Sequence, residues 1–482
     1  MQKKDYVVVM GPPVNVRKER AQTGDENSMR ESVEHRLNSW EITKRNACIN
    51  GLKILLILVQ TLITALLCHA DPGTISWQTG GAAVLYVVLL VFMCCMYDVF
   101  QIGTMSMRDL MGSLVLAQAF ALFFQYGIIS LLLRELADPV PFLAALAVNG
   151  VISTLWARLA IQLYQKLFPA KRTYVICDDS EVRQEKHNIG ELSWKFQIVD
   201  FLDIQLGLEE IFRRIADAEA VVLVNIHSSE RNQILKRCIT VGVQVYSRPK
   251  IGDLLMWGGS QMNLLNVPIV HCGRYRKKLT YVAAKRAMDI LLSGVALVVL
   301  SPIMAVVAVA VHLYDGGPAF YRQVRLTQDG REFKILKFRS MRMDAEKDGV
   351  ARLASENDSR ITPVGRVIRA VRLDELPQLL NILKGEMSIV GPRPERPELA
   401  EQYEEDLPEF RLRLQTKAGL TGYAQVYGKY NTPPYEKLQM DLLYIAKQSL
   451  MMDIKLIFMT VRVLFMKEST EGVGQEEINA IR

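Results

Sequence analysis

Features that would mark a zinc site, a nucleic-acid surface or a secreted protein are missing from this 482-residue chain. Its seven cysteines show no CxxC or Cys/His spacing, and three of them lie inside apolar runs, which indicates reduced packing residues. Its 58 basic and 51 acidic residues leave a net charge of +7, too small and too dispersed to indicate nucleic acid as a partner. The first fifty residues are polar and charged, so no cleavable signal peptide is expected.

Apolar residues, in contrast, make up 50% of the chain, and they cluster. Each of four runs has close to the roughly 20 residues that a helix needs to cross the hydrocarbon core of a bilayer. These runs predict a bundle of four transmembrane helices at residues 52–70, 82–100, 110–133 and 142–163.

The distribution of basic residues predicts how the bundle is oriented. Lysines and arginines precede the first run and follow the fourth, and Arg108 lies between the second and third. The other two loops, 71–81 and 134–141, contain only Arg134. Because cytoplasmic loops carry the excess of basic residues, both ends of the bundle are expected in the cytoplasm. The small positive net charge of the chain also suits contact with anionic lipid headgroups.

The region after the bundle has the pattern of a soluble α/β domain. The strand-like runs TYVIC, AVVLVNI, VQVYSR and VPIVHC alternate with helical segments, which predicts a Rossmann-like domain around a small parallel sheet. A dinucleotide site would need a glycine-rich turn after the first strand, but Asp178-Asp179-Ser180 stands there. The sequence therefore favours a scaffold or regulatory domain over nucleotide binding.

A further apolar run, residues 288–313, is long enough to span the bilayer but has basic residues on both sides. Lys285 and Arg286 precede it, and six lysines and arginines follow within 26 residues. Because basic residues are enriched on the cytoplasmic side, both ends of the run are expected there. At its centre, Pro302 removes a backbone donor and Ser301 can satisfy the freed carbonyl. The pattern favours a re-entrant helix that breaks at Ser301-Pro302, and the alternative is a kinked spanning helix.

Downstream of this run, the segments FYRQ and KFRSM interleave basic side chains with aromatic ones. Such a strip suits the binding of phosphates or lipid headgroups, with Lys337 and Arg339 as candidates. Without other support, a solvated charged strand face is about equally favoured.

The segment RLDELPQLLNILKGEMSIVGPRP has the strongest chemical signal. Asp374 and Glu375 stand where a helix is expected to begin, and an acidic N-cap alone would explain them. Arg369 precedes the pair, and Arg393 lies between two prolines, whose stiff backbone suits bidentate binding of a phosphate. A diphosphate substrate brings Mg²⁺ with it, so one acid can bind the metal while the other attacks phosphorus.

Residues 285–472 resemble the bacterial sugar transferase family, the monotopic polyprenyl-phosphate phosphoglycosyl transferases. The matching motifs occur in order: KRAMDI, Ser301-Pro302, FYRQ, KFRSM, the Asp374-Glu375 segment, KAGLTGYAQVYG and the DLLYI…SL…D pattern. The chain looks like a long member, which initiates exopolysaccharide, capsule or O-antigen assembly. Its expected parts are an N-terminal cytoplasmic segment (1–51), the bundle (52–168), the α/β domain (172–273), the α/β catalytic domain with the re-entrant helix (280–472) and a tail (473–482).

The resemblance implies a role for each matched residue. Asp374 matches the aspartate that attacks the sugar-bearing phosphate of a UDP-sugar and releases UMP, after which undecaprenyl phosphate attacks the intermediate. Glu375 matches the Mg²⁺ ligand, Arg369 an active-site arginine, and Arg393 the arginine that holds the nucleotide phosphates. Ser301-Pro302 matches the break of the re-entrant helix, and Lys337 and Arg339 match positions near the active site.

The resemblance also implies a location and partners. A multi-pass protein of the bacterial cytoplasmic membrane with its active site on the cytoplasmic face is expected, because UDP-sugars are cytoplasmic. The long members favour a homodimer, although no self-association pattern stands out. The sequence departs from the common family pattern at Leu326-Thr327, where Val-Gly is frequent, at Ala418 for proline and at Tyr423 for tryptophan. Which sugar is transferred is left open, with glucose or galactose 1-phosphate as the first guess.

Residues 450–466 form an amphipathic helical pattern near the end of this region. Two interpretations, which are compatible with each other, are about equally favoured: a helix in the membrane interface with Lys455 and Arg462 available to lipid phosphates, and a helix packed on the catalytic domain. For the whole chain, two other functions stay open. One is an inactive scaffold or regulator of polysaccharide assembly, and the other is a glycosyltransferase that releases UDP.

Overall fold

The computed structural model describes residues 39–68, 77–178, 193–264, 266–274, 278–343, 345, 358–428 and 432–464. Several predicted features lie wholly or partly outside these residues: most of the N-terminal segment, the loop at 71–76, Asp179 and Ser180, the C-terminal tail and residues 465–466. The chain divides into two compact units. The first comprises 1–63, 101–107 and 151–248, and the second comprises 64–100, 108–150 and 249–482.

Helices occupy all four apolar runs of the predicted bundle. Their bounds are α1 Ser39–Cys68, α2 Trp77–Met96, α3 Met107–Leu133 and α4 Pro139–Leu167. Within the described residues, α1, α3 and α4 are long and apolar enough to cross a membrane, and the apolar part of α2 is shorter, at Gly80–Met96. The second predicted run extended to residue 100, but α2 ends earlier, before a turn in which Asp98 has a φ of 56°.

Polar side chains connect these helices within each unit. In the first unit, the Gln60 amide donates to the hydroxyl of Ser153 at 2.9 Å. In the second, the Asn149 amide donates to the hydroxyl of Thr64 at 3.0 Å, and Gln125 donates to the carbonyl of Ala82 at 3.0 Å. Because a bilayer offers no competing water, such bonds hold transmembrane helices together.

The first unit contains the predicted parallel sheet. Its strands are β1 Lys171–Cys177, β2 Phe196–Asp203, β3 Ala220–Leu223 and β4 Gln244–Ser247, in the order β2-β1-β3-β4. Val175 of β1 pairs with Phe201 of β2 on one side and Val222 of β3 on the other. Helices α5 Leu208–Arg214 and α6 Ser228–Thr240 contribute Ile211, Ile234 and Cys238 to its apolar core.

One strand of the predicted parallel sheet belongs elsewhere. The run VPIVHC was expected in the parallel sheet, but β6 Val267–His271 pairs antiparallel with β5 Ser260–Leu264. These two strands follow helix α7 Ile251–Trp257 and form a separate hairpin in the second unit. The prediction was wrong because β5, which the sequence pattern did not reveal, ends only three residues before β6 begins, and such a short connection allows antiparallel but not parallel pairing.

The second unit continues with α8 Leu279–Asp315, a helix of 37 residues. After it come the antiparallel strands β7 Phe320–Leu326 and β8 Glu332–Phe338, then α9 Pro363–Ala370, α10 Gln378–Lys384, β9 Ser388–Val390, α11 Pro397–Asp406, β10 Gly419–Thr421, α12 Tyr423–Tyr427, α13 Pro434–Ala446 and α14 Leu450–Leu464. Strands β9 and β10 pair in parallel.

Helix α8 continues through Pro302 without interruption. Residue 302 cannot donate to the carbonyl of Val298, four residues earlier, because proline has no N–H group. The Ser301 hydroxyl donates to that same carbonyl at 2.8 Å. The Ser301 hydroxyl therefore satisfies the carbonyl that Pro302 frees, as expected, whereas the expected break of the helix at Ser301-Pro302 is not observed.

Helix α14 packs against the transmembrane helices of the second unit. The Phe458 ring lies 5.2 Å from the Phe120 ring, measured between centroids. The Lys455 ammonium donates to Asp98 at 2.7 Å, and Arg462 donates to the Ser113 hydroxyl at 3.1 Å. Of the two interpretations of this helix, the one in which Lys455 and Arg462 face lipid phosphates is therefore wrong for these side chains. The other is supported, since Thr460 also forms a hydrogen bond with Thr421 of β10 at 2.6 Å.

Candidate active site

Asp374 and Glu375 lie in a short 3-10 helix, Leu373–Glu375, between α9 and α10. Arg372 enters this turn with a left-handed backbone, at a φ of 54°. Helix α10 begins only at Gln378, and its N-cap is Pro377, without a side-chain cap. The predicted N-cap role of Asp374 is therefore wrong, because the left-handed turn at Arg372 starts a separate helical turn before the α-helix.

Glu375 is surrounded by cations. Its Oε1 atom accepts hydrogen bonds from Lys337 Nζ at 2.9 Å and Arg393 Nη2 at 3.2 Å, and its Oε2 lies 3.9 Å from Arg372 Nη1. Burial acts to raise the pKa of Glu375, but the three cations outweigh it and hold the pKa below its ordinary value. Glu375 is thus ionised and fixed in place.

Asp374 has a different environment from its neighbour. No hydrogen bond or ion pair joins its side chain to another side chain in the described part of the chain. Burial and the adjacent Glu375 raise the pKa of Asp374, while Lys337, Arg369 and Arg393 act in the opposite direction. The expectation that the helix end holds this carboxylate ionised is not met. A carboxylate whose charge is poorly stabilised is more basic, which suits a nucleophile.

Arg369 reaches this neighbourhood from α9. The Thr362 hydroxyl caps that helix by accepting from Gly365 N, and Pro363 follows at the first helical position. Arg369 lies in the last turn, where its charge lowers the pKa of Asp374 without a direct ion pair between them in the described residues. It contributes positive potential rather than a contact to the pair.

The loop that carries Arg393 is held by close backbone packing between β9 and β10. Gly391 N donates to Thr421 O, and Gly419 N donates to Pro392 O, both at 2.8 Å. A Cβ atom at Gly391 or Gly422 would collide with backbone atoms of the facing segment. Glycine is therefore required at both positions, and the packing directs the chain at Pro392 toward Glu375.

Arg413, which the sequence analysis did not single out, supports the loop through a hydrogen bond to its backbone. Its side chain is 4% exposed and donates to Asp441 at 2.9 Å, to Glu395 at 3.3 Å and to the carbonyl of Arg393 at 3.0 Å. Asp441 is equally buried, on α13. Nothing in the local sequence marks Arg413, because its partners lie 18 to 28 residues away.

For the UDP-sugar substrate that the sequence resemblance implies, we expect Arg413→Lys to raise the KM about tenfold with a smaller change in kcat. Lysine keeps the charge but lacks the planar guanidinium group, which reaches Asp441, Glu395 and the carbonyl of Arg393 at the same time. Steady-state kinetics would test this, with the exposed Arg411→Lys as the matched control. If Arg413 acts through Arg393, the substitution has no further effect in an Arg393→Ala background. Multiplying effects would contradict that role.

The two basic residues of KFRSM bind different partners in the structure. Lys337, near the end of β8, binds Glu375, and burial lowers the pKa of its ammonium despite the carboxylate. Arg339 instead pairs with Asp315 at the end of α8 and is 8% exposed. Its contacts therefore fix the end of a helix, and a role for Arg339 in phosphate binding stays a prediction.

The donor set can be tested against a magnesium ion. No group of three or more His, Cys, Asp or Glu side chains that could hold a metal occurs among the residues described. Mg²⁺, however, is commonly held by one or two carboxylates together with substrate phosphates. Glu375 fits that mode, because Lys337 and Arg393 bind its Oε1 atom, whereas its Oε2 atom lies 3.9 Å from Arg372 Nη1, beyond hydrogen-bond distance. The site therefore fits a Mg²⁺ ion that is bound jointly by Glu375 and by the phosphate oxygens of a diphosphate substrate.

Comparison with known proteins places this site in a family. The model of the family described as bacterial sugar transferase matches residues 280–467. The UDP-glucose:undecaprenyl-phosphate glucose-1-phosphate transferase of Caulobacter vibrioides is 40% identical over 182 residues, which cover 37% of this chain and 68% of that protein. The chain belongs to the bacterial sugar transferase family.

Two longer relatives match a smaller share of their own length. The UDP-N-acetylgalactosamine-undecaprenyl-phosphate N-acetylgalactosaminephosphotransferase of Aeromonas hydrophila is 35% identical over 49% of this chain and 56% of its own. The UDP-glucose:undecaprenyl-phosphate glucose-1-phosphate transferase of Escherichia coli is 44% identical over 37% of this chain and 39% of its own. The chain thus aligns with about half the length of these bacterial sugar transferases.

Proposed function

We propose that this bacterial sugar transferase moves a hexose 1-phosphate from a UDP-sugar to undecaprenyl phosphate and releases UMP, as the first membrane step of exopolysaccharide or capsule synthesis. The observation that carries the proposal is the contrast within one pair of acids. Glu375 is fixed by Lys337 and Arg393, whereas Asp374 beside it has no such bond and a raised pKa. The names of the relatives support the same substrates.

In the proposed reaction, an oxygen of Asp374 attacks the phosphorus that carries the sugar. The bond from that phosphorus to the bridging oxygen breaks, and the electron pair leaves on the phosphate of UMP. A phosphate oxygen of undecaprenyl phosphate then attacks the same phosphorus and displaces the Asp374 carboxylate. Arg393 and Lys337 would neutralise the diphosphate, and Arg369 adds positive potential.

Magnesium belongs to this proposal as a partner of the substrate. Glu375 would hold it, with the diphosphate supplying further oxygens. When bound, the ion would neutralise charge on the phosphate oxygens and polarise the phosphorus for attack. Lys337 and Arg393 already fix Glu375, so the pair's geometry depends on the protein's own contacts.

We further propose that α8 is re-entrant. Near its start, Arg286 donates to the carbonyls of Ile382 and Leu383 at 2.6 and 2.7 Å, and near its end Val307 and Val311 pack against Phe338. A straight helix of 37 residues would be about 55 Å long. Contacts from both ends to one catalytic domain support a helix that enters and leaves the membrane on one face. Its middle carries exposed apolar side chains, such as Val298 and Val299.

The topology can be measured by labelling. A cysteine at Glu332, which is exposed on β8, should stay unlabelled by a membrane-impermeant reagent in intact cells and react after permeabilisation. A cysteine at Glu135, in the loop expected outside, is the matched control and should react without permeabilisation. Labelling of Glu332→Cys in intact cells, above the background of the native cysteines, would contradict the re-entrant arrangement.

The function itself can be tested by product analysis. We expect purified protein with undecaprenyl phosphate and Mg²⁺ to release UMP from at least one UDP-sugar in a panel. Release of UDP would instead indicate transfer of the sugar without phosphate. Release of neither would favour an inactive scaffold, and that alternative is weakened by the intact contacts of Glu375, Lys337 and Arg393.

The remaining assignments extend the same proposal. The four-stranded sheet is proposed as a Rossmann-like scaffold or regulatory domain. The protein is proposed to lie in the bacterial cytoplasmic membrane with its active site on the cytoplasmic face, because both proposed substrates are accessible there. A homodimer is proposed from the resemblance to long family members, and the molecular mass of the detergent-solubilised protein would test it.

A further inference from the structure

Positively charged side chains gather where α8 begins. Arg286 donates to the carbonyls of Ile382 and Leu383, in the last turn of α10, at 2.6 and 2.7 Å. Gly385 follows that helix with a left-handed backbone, and a Cβ atom on it would lie 3.4 Å from Arg286 Nη2 and 3.7 Å from Lys417 Nζ. The guanidinium and the ammonium therefore lie beside the same glycine, although both are positively charged.

A third basic residue reaches this place from the turn between β7 and β8. The Thr327 hydroxyl donates to the carbonyl of Glu386 at 2.8 Å and accepts from the N–H of Ala418 at 3.2 Å, so the turn lies against both neighbouring segments. The N–H of Thr327 donates to the carbonyl of Arg331 at 2.8 Å, and the Arg331 side chain is exposed. Together, Arg286, Arg331 and Lys417 form a basic cluster.

Three acidic residues next to the basic cluster are engaged elsewhere. Asp289 accepts from a backbone N–H of β9 at 3.0 Å, and Glu386 accepts from a side-chain amide of α10 at 2.7 Å. Asp329 pairs with Arg274. In the described part of the chain, the Lys417 ammonium makes no hydrogen bond and no ion pair. Burial and the neighbouring arginines lower the pKa of Lys417, against the opposing effect of Asp289.

The basic cluster lies next to the part of α8 that suits a membrane. Ile290, one helical turn after Arg286, is 46% exposed, and Leu291 beside it is 65% exposed. Within the described residues, α8 is long and apolar enough to cross a membrane. Exposed apolar side chains on such a helix belong among lipid acyl chains, so the basic residues one turn earlier belong at the level of the headgroups.

We propose that the basic cluster binds the phosphate group of an anionic phospholipid in the surrounding membrane. Lys417 would donate to one phosphate oxygen and the exposed Arg331 to a second, while Arg286 would add charge and keep its bonds to α10. Basic side chains near an anionic leaflet are attracted to it, so the lipid would supply the counter-ion that Lys417 lacks among the described residues. The proposal does not depend on the proposed reaction and requires only that α8 enters the membrane.

A different role for Lys417 would be to balance the end of α10. The last carbonyls of a helix carry partial negative charge, and a nearby ammonium is favourable there without any lipid. That role would be the same in every membrane. A phospholipid site, in contrast, distinguishes phosphatidylglycerol, which has a net negative charge, from phosphatidylcholine, which has a phosphate but no net charge.

Native mass spectrometry of the full-length protein, released from detergent with either lipid added, would test the site. We expect the wild type to retain phosphatidylglycerol more strongly than phosphatidylcholine with the same acyl chains. Lys417→Met should weaken phosphatidylglycerol binding about tenfold, the loss typical of a hydrogen bond to a charged group, and leave phosphatidylcholine binding unchanged. Lys417→Arg should keep most of the affinity. Lys334→Met, which removes an exposed positive charge from β8, is the matched control and should bind as the wild type does.

Three binding results would overturn the site. These are a wild type that does not prefer phosphatidylglycerol, an affinity of Lys417→Met within twofold of the wild type, and an equal loss in Lys334→Met. Competition tests the identity of the occupant, because neither undecaprenyl phosphate nor inorganic phosphate at the same concentration should displace the phosphatidylglycerol. Displacement by undecaprenyl phosphate would assign the basic cluster to the lipid substrate, and displacement by inorganic phosphate would make it a site for free anions. Either result would reject the phospholipid site.

Discussion

Asp374→Asn should reduce UMP release by about a thousandfold or more, because the amide that replaces the carboxylate cannot attack phosphorus. The expected loss is in kcat rather than in substrate binding. Arg393 and Lys337, which would hold the diphosphate, keep their bonds to Glu375 in the variant. The measurement is the initial rate of UMP formation with a saturating UDP-sugar and undecaprenyl phosphate.

The variant also provides its own folding control. Asp374 makes no side-chain hydrogen bond or ion pair in the described residues and does not cap α10, so asparagine should leave the melting temperature nearly unchanged. Glu375→Gln is the informative comparison, because it weakens three cationic contacts and should also lower stability. Full turnover by Asp374→Asn would remove the nucleophile from the mechanism.

Lys285→Met should destabilise the second unit more than any other single substitution considered for this chain. Lys285 pairs with Asp453 at 2.9 Å, and the two side chains are 9% and 0% exposed. Asp453 also accepts from Tyr281 at 2.9 Å and from Tyr444 at 2.7 Å. Removal of the lysine leaves a buried carboxylate without its counter-ion, which typically costs about 3–5 kcal/mol. A melting temperature roughly 10 °C lower is expected.

Lys455→Met gives the matched comparison. Lys455 also pairs with an aspartate, Asp98, but its side chain is 23% exposed, so its loss should cost clearly less. The double variant Lys285→Met with Asp453→Leu should recover part of the stability, because it leaves no unpaired charge. Lys285→Met that melts no earlier than Lys455→Met would contradict the role of the buried pair.

Sequence patterns predicted those parts of the site that depend on local chemistry. The Ser301 hydroxyl was expected to satisfy the carbonyl freed by Pro302, and it does. The residues of RLDELP and PRP were expected to meet, and Arg393 does contact Glu375. For Ser301, the chemistry of neighbouring residues was sufficient for the prediction. For Arg393 and Glu375, both residues belong to one recognisable motif, whose two segments the fold brings together.

Long-range partners were beyond what the sequence pattern could show. Arg413 was missed because its partners, such as Glu395 and Asp441, lie in other segments of the chain. Lipid phosphates were one of two expected surroundings for Lys455 and Arg462, but their partners lie about 350 positions earlier in the chain, in a part of the bundle whose docking no local pattern encodes. The left-handed turn at Arg372 was likewise not visible, and it moved the helix start past Asp374.

Two departures from the family pattern are also coupled in the structure. The Thr327 hydroxyl donates to the carbonyl of Glu386 at 2.8 Å and accepts from the backbone N–H of Ala418 at 3.2 Å. Proline is frequent at position 418 and would have no N–H to satisfy, and glycine at position 327 would have no hydroxyl. The sequence showed these as separate differences, whereas the fold makes them one hydrogen-bonded pair.

The central claim is that Asp374 forms a bond to the sugar phosphate before the lipid arrives. The most direct measurement is a rapid-mixing experiment with enzyme and a UDP-sugar substrate in the absence of undecaprenyl phosphate. The account predicts a burst of UMP that approaches one equivalent per enzyme, with a hexose phosphate found by mass spectrometry on the peptide that contains Asp374. No burst until undecaprenyl phosphate is added, or an unmodified peptide after one, would contradict it.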